Sequence, residues 1–182
     1  MALTLPDIAD LFARRGGEQY SGEPVTQLQH ALQTAQLAAA AGADDALVTA
    51  ALLHDLGHLL QDLGDTPTLR GIDDVHQYAA LPFLRGLFAD AVLDPIKLHV
   101  DAKRYLCAVR TGYHDQLSQD SRRSLLLQGG VFDADAAQHF WQQPGAPAAV
   151  QVRVWDDQAK QPDMPTPALE HFLERARRCV RA

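Results

Sequence analysis

The sequence predicts an all-α protein, a helical bundle in which ligands from facing helices converge on the interior. Three observations lead there. Every convincing apolar segment has a helical period, and none shows the clean alternation of a half-buried strand. Several of these segments carry their own start and stop residues. The 182 residues, 47% of them hydrophobic, are enough for one well-filled core and too few to need two. A single domain over 1–182 is expected.

Taken in order, helices are predicted near 5–16, 24–41, 44–62, 73–88, 94–110, 120–127, 133–141, 147–160 and 166–181. Pro24 fits the first turn of the second, and Gly42 lies just past its end. Asp44-Asp45 precede the long apolar run of the third, and Asp94-Pro95 read as the N-cap and first residue of the fifth. The stretch 61–72 and Gln142-Gln-Pro-Gly-Ala-Pro147 are loops by composition, neither long enough to link domains.

A net charge of −7 argues against nucleic-acid or anionic-membrane partners, which need clustered Lys and Arg. The Arg-Arg pairs at 14–15, 122–123 and 177–178 are short and read as solvated helix faces. The two cysteines, Cys107 and Cys179, lie far apart and outside any zinc-ligand spacing, so no disulfide framework or thiolate site is indicated. That cysteine usage fits a reducing cytoplasm. The N-terminal residues lack a basic leader and no segment is apolar enough to span a membrane, which predicts a soluble protein; a monomer and a small homo-oligomer are both open.

Candidate chemistry centres on Ala50-Ala-Leu-Leu-His54-Asp55-Leu-Gly-His58. There a histidine and an aspartate interrupt an otherwise apolar helix, where unpaired polar groups are costly. Mutual hydrogen bonding could satisfy a lone His-Asp pair. Here, however, His30 precedes it in the previous predicted helix, His76 and His99 follow in the next two, and Asp156 lies near the end. These six groups exceed the three or four that one ion needs, which points to two metal ions sharing a bridge.

Other residues sit beside these in helical register. Lys103 is one turn from His99, Arg153 one turn before Asp156, and His58 one turn after His54. Ser124-Leu-Leu-Leu-Gln128-Gly-Gly places a hydroxyl and a carboxamide on one face before a glycine pair. Together they offer donors suited to a tetrahedral oxyanion. Their ordinary alternatives are a solvated Lys103, Arg153 and Ser124, and a helix-capping Gln128. Tyr20 and Glu23 would lie one turn apart if their segment is helical. Surface packing for Tyr20, and capping of the helix begun by Pro24 for Glu23, are the structural alternatives. His114, His139 and His171 read as surface histidines, Trp155 and Phe132 as core aromatics, and Asp101 either as support for His99 or as solvated.

An early His, a central His-Asp and a late Asp on an all-α scaffold, with two extra histidines, resemble the HD-domain superfamily over about residues 20–160. Tyr20-Ser-Gly-Glu23, Gln27-Leu-Gln-His30, His54-Asp-Leu-Gly-His58, Asp94-Pro-Ile-Lys-Leu-His99-Val-Asp-Ala-Lys103 and Ser124-Leu-Leu-Leu-Gln128-Gly-Gly look like its phosphonate-catabolising oxygenases. The resemblance implies that His30, His54, Asp55 and Asp156 hold one metal and that Asp55 bridges to a second on His76 and His99. Asp157 competes with Asp156, which the flanking Arg153 and Lys160 favour. It further implies a mixed-valent Fe(II)/Fe(III) pair using O2 to cleave the carbon-phosphorus bond of a small 1-hydroxyphosphonate into a carboxylic acid, such as glycine, and inorganic phosphate. His58, Lys103, Ser124, Gln128 and Arg153 would bind the phosphonate. Tyr20 would gate the iron, and Glu23 would meet an amino tail. An ammonium, a methylated ammonium or a hydrogen at C2 are all compatible. A metal-dependent phosphohydrolase of a nucleotide or phosphate ester is the alternative, since it shares the ligands and donors but gives no reason for the Tyr20/Glu23 pair.

Overall fold

Residues 2–64 and 66–181 are described by a computed structural model. Among them the chain forms helices and no strand, apart from the isolated bridges Gln19–Thr26 and Phe88–Val180. The helices are α1 (Leu5–Arg15), α2 (Gln27–Ala40), α3 (Asp45–Leu53), α4 (Leu56–Leu60), α5 (His76–Ala79), α6 (Leu81–Leu84), α7 (Asp90–Val109), α8 (Tyr113–Gln116), α9 (Gln119–Leu127), α10 (Ala134–Trp141), α11 (Ala146–Gln158) and α12 (Leu169–Arg177). A 3-10 turn at Pro67–Arg70 interrupts the loop between α4 and α5. No described helix is long and apolar enough to cross a membrane.

Local chemistry explains most boundaries. Thr4 and Asp7 form a capping box at the start of α1, and Asp44, Ser118 and Asp133 cap α3, α9 and α10 through their side chains. Gly42, at φ +78°, follows α2 in the left-handed region where a glycine costs least.

Four expected boundaries are corrected. Helix α2 begins at Gln27, not near Pro24, because Thr26 and Gln29 satisfy each other's backbone in a capping box. The predicted helix 44–62 is broken at His54-Asp55 into α3 and α4. The predicted helix 73–88 is instead a loop followed by the short α5 and α6. Asp94-Pro95 does not start α7, which runs from Asp90 with Pro95 inside it. The hydrogen bond that Pro95 forgoes would end on the carbonyl of Ala91, an exposed residue, which keeps the interruption cheap.

The largest apolar cluster joins α1, α2, α3, α7 and α12 through Ile8, Phe12, Leu32, Leu52, Leu53, Ile96 and Phe172. Helix α7 packs along α11 and against α3, while α2 bridges α3 and α11. The facing surfaces of these four helices enclose the polar centre.

Candidate metal and oxyanion site

His30 on α2, His54 at the end of α3, Asp55 after it, His76 on α5, His99 on α7 and Asp156 on α11 are all buried together. The helix break explains how two adjacent residues both contribute. In a continuous helix, neighbouring side chains diverge by about 100°. Between His54 and Asp55 the helix stops and restarts, with Asp55 at φ −103° and ψ 11°, so both side chains turn to one centre.

The ligand-type atoms fall into two groups that share a carboxylate. Asp55 Oδ2 lies 3.5 Å from His30 Nε2 and 3.3 Å from His54 Nε2. Its other oxygen, Oδ1, lies 3.2 Å from His76 Nε2 and 3.4 Å from His99 Nε2. Asp156 completes the first group, with Oδ1 3.4 Å from His30 Nε2.

Each imidazole has its other nitrogen committed. His30 Nδ1 faces the Ala159 carbonyl at 2.9 Å, His54 Nδ1 the Ala51 carbonyl at 2.8 Å, and His99 Nδ1 the Ile96 carbonyl at 2.7 Å. His76 Nδ1 faces Asp74 Oδ1 at 2.8 Å. Carbonyl and carboxylate oxygens only accept, so all four Nδ1 atoms donate and the four Nε2 lone pairs are left for the centre. Those lone pairs come within 3.2 Å for His30 and His54 and 3.0 Å for His76 and His99. Asp55 Oδ2 and Asp156 Oδ1 are buried without a hydrogen-bond partner. Such a set of acceptors is relieved only by protons or by metal cations, and its nitrogen and oxygen donors fit two ions.

The electrostatics agree. Burial opposes charge on His30, yet Asp156 and Asp55 outweigh it and raise the ring to about 9. Burial likewise opposes charge on His76, but Asp74 and Asp55 raise it to about 10. Burial holds His99 down to about 4. Asp55 and Asp156 stay well below the usual carboxylate range: burial opposes this, and His54 and His58 for Asp55, Arg153 and His30 for Asp156, outweigh it.

Beside the metal-type groups lies a cavity of about 50 Å³, whose lining includes His58, Lys103, Ser124, Gln128 and Arg153. Lys103 and Arg153 are buried, so the solvated alternative does not hold for either. Lys103 Nζ donates to Ser124 Oγ at 2.8 Å, and burial, followed by the nearby Arg153 charge, lowers its ammonium to about 7. Gln128 is the C-cap residue of α9 and also presents a buried, unpartnered Oε1. Arg153 Nη1 pairs with Asp156 Oδ2 at 2.7 Å. Asp157 turns away from the centre to Tyr113 and Arg153.

Tyr20 and Glu23 are not on a helix. They close a tight turn in which Glu23 N donates to the Tyr20 carbonyl at 3.0 Å and Gly22 takes φ +68°. The Tyr20 ring stacks on His30 at 4.0 Å, and burial, then Asp55 and Asp156, push its phenol upward. Glu23 does not cap α2. It pairs with Lys160 Nζ at 3.2 Å. Asp101 pairs with Arg104 instead of supporting His99, and His114, His139 and His171 are exposed. Trp155 and Phe132 are partly buried against apolar clusters.

Sequence reasoning missed Asp74. Its two oxygens take His58 Nδ1 at 2.7 Å and His76 Nδ1 at 2.8 Å, so one carboxylate holds a cavity histidine and a metal-type histidine. An Asp two residues before a candidate ligand was the available signal. Thr68, whose hydroxyl reaches Asp120 Oδ1 at 2.6 Å across the cavity, was not singled out either.

An all-α bundle with two His/Asp groups sharing one carboxylate defines a scaffold for a dinuclear metal centre. The chain belongs to the HD domain family, whose match covers residues 28–138. It is 39% identical over 173 residues to the [1-hydroxy-2-(trimethylamino)ethyl]phosphonate dioxygenase (glycine-betaine-forming) of Leisingera caerulea, covering 95% of this chain and 88% of that one. It is 43% identical over 166 residues to the hydroxymethylphosphonate dioxygenase of Gimesia maris, covering 90% and 82%. An uncharacterized protein of Acanthamoeba polyphaga mimivirus is 34% identical over 156 residues, covering 84% and 71%.

Proposed function

We propose that this protein is an O2-dependent dioxygenase that cleaves the carbon-phosphorus bond of a small 1-hydroxyphosphonate, giving a carboxylic acid and inorganic phosphate. The observation that carries the reading is the pairing of two His/Asp groups, Asp55 set between them, with a cationic, hydrogen-bonding cavity wall beside them. The named activities of the relatives supply the reaction class. The overall change balances: hydroxymethylphosphonate dianion plus O2 gives formate and dihydrogen phosphate, with both oxygen atoms retained in the products.

His30, His54, Asp55 and Asp156 would hold one iron ion, and Asp55, His76 and His99 the other. When bound as an Fe(II)/Fe(III) pair, they supply the redox chemistry that an unactivated carbon-phosphorus bond requires. The remaining work belongs to the side chains. Lys103, Ser124, Gln128, Arg153 and His58 bind and orient the phosphonate, fixing C1 toward the centre. His58 is itself oriented by Asp74, which accepts a hydrogen bond from its Nδ1–H and leaves Nε2 for the cavity. Tyr20, lying over His30, excludes water until substrate displaces it, and Glu23 meets the far end of the substrate. The compartment we assign is the cytoplasm.

The test is phosphate release from a panel of 1-hydroxyphosphonates by iron-reconstituted protein with and without O2. Oxygen-dependent release with the matching carboxylic acid is expected. No release from any of them, together with anaerobic hydrolysis of a phosphate ester, would replace this reading with a phosphohydrolase.

A further inference from the structure

Arg153 is fixed from three sides by groups of different kinds. Nη1 pairs with Asp156 Oδ2 at 2.7 Å, Nη2 pairs with Asp157 Oδ1, and Nε donates to the Tyr113 hydroxyl at 3.2 Å. The Tyr113 hydroxyl in turn donates to the other Asp157 oxygen, so tyrosine, aspartate and guanidinium form a closed triangle. Arg153 and Asp156 line the site cavity; Tyr113 and Asp157 lie behind Arg153, outside that lining.

Asp156 and Asp157 are neighbours on α11 that share one guanidinium between them. A guanidinium left alone beside a carboxylate closes a two-pronged pair with it. Here that would commit two guanidinium N–H groups to Asp156 instead of to the cavity, and occupy both Asp156 oxygens. Asp157 takes one prong and Tyr113 takes Nε, so a single nitrogen remains on Asp156. These contacts do not exhaust the guanidinium's donors, and the unspent N–H groups are available to the cavity it lines.

We propose that Tyr113 and Asp157 are positioning residues that hold the Arg153 guanidinium in its oxyanion-binding orientation. This rests on the reading of the cavity wall as a phosphonate site. Tyr113 suits the task because its placement is independent of the centre. It follows Gly112, at φ +78°, and its ring is buried against Leu106, Leu117 and Leu125, so Phe at this position keeps the packing and removes only the hydroxyl.

The experiment compares iron-loaded full-length protein with Arg153→Ala, Tyr113→Phe and Asp157→Asn. Each is measured for KM and kcat on a turned-over hydroxyphosphonate, for inorganic phosphate affinity by calorimetry, and for metal content and melting temperature. For Tyr113→Phe and Asp157→Asn, KM should rise and phosphate affinity fall together by roughly tenfold, the scale of a hydrogen bond to a charged group. Their kcat should change much less and their metal content should stay at the wild-type value, a split that a merely structural role would not produce. If Arg153→Ala weakens phosphate while neither partner variant does, the positioning role is overturned and the site reading stands. If Arg153→Ala leaves phosphate affinity unchanged, the oxyanion reading of Arg153 falls, and the inference with it. Loss of metal from the partner variants without a change in phosphate affinity would assign the triangle to support of Asp156 and overturn the proposal. Should Tyr113→Phe fail to fold, Asp157→Asn, which attacks the triangle from α11, decides on the same readouts.

Discussion

Gly57 lies directly against the backbone of His76: a β-carbon on Gly57 would sit 2.7 Å from the His76 carbonyl carbon and closer still to its oxygen. Because both partners are backbone, no side-chain rotation can relieve the clash. Gly57→Ala therefore has to push α4 and α5 apart, and α5 carries His76. The expected cost is about 1–3 kcal/mol in stability. The distinguishing result is metal stoichiometry, which should fall toward the His30/His54 group alone. An alanine variant that binds both ions and melts with the wild type would show that this contact is not what seats His76.

The carboxylate of Asp74 holds His58 and His76 together, and their rings stack at 4.1 Å. Asp74→Asn has one acceptor oxygen for two Nδ1–H donors, so one ring is released or forced into the other tautomer. Loss of a supporting carboxylate of this kind costs roughly 10–100-fold in metal affinity. Titration of the apoprotein with Fe(II) should show the weaker of two binding steps moving by that amount while the stronger is retained. Equal weakening of both steps, or of neither, would contradict the assignment of Asp74 to the His76 side.

What could be read from the sequence was the chemistry that repeats on separate helices. His30, His99, Lys103 and Asp156 announce themselves because a polar group at an apolar helical position needs a partner, and a one-turn spacing places Lys103 with His99 and Arg153 with Asp156. The break between α3 and α4 was not legible, because apolar residues flank His54-Asp55 on both sides with no proline to stop the helix, and only convergence of the two side chains demands the kink. Asp74 was hidden for a related reason. Its segment reads as part of a helix over 73–88, in which residues two apart do not face each other, whereas the structure has a loop there, with Val75, a β-branched residue, held at φ +45° by its surroundings. The turn that brings Tyr20 to Glu23 gave no helical signal, and the Glu23–Lys160 pair joins residues far apart in the chain.

Lys103 gives a prediction in pH. Burial and the Arg153 and Lys160 charges lower its ammonium to about 7, against the opposing pull of Asp156 and Asp157. Above that pH the free protein has a neutral Lys103, so each phosphonate dianion that binds must recover a proton, and KM should climb as pH rises past 7. A Lys103→Arg variant stays charged throughout this range and should flatten the rise, although its larger fork cannot reproduce the Ser124 contact and its KM near neutrality should be higher. The same alkaline rise in Lys103→Arg would assign it to another group, such as the substrate itself.

The proposed role of Glu23 at the substrate tail gives a prediction in selectivity. Its carboxylate is already paired with Lys160 at 3.2 Å, and both side chains are about nine-tenths buried. On the proposed reading a substrate ammonium would share Glu23 with this lysine, whereas a substrate with hydrogen at C2 would leave the pair intact. Glu23→Gln removes the charge and keeps the shape, so KM for 2-amino-1-hydroxyethylphosphonate should rise by about tenfold while that for hydroxymethylphosphonate moves far less. Lys160→Met should act in the opposite sense, freeing the carboxylate and lowering KM for the amino substrate alone. Steady-state kinetics on the two compounds with both variants separates the cases. Equal effects of Glu23→Gln on both substrates would remove its role at the tail. An increase in KM for both substrates in Lys160→Met would place the lysine's charge on the phosphonate instead.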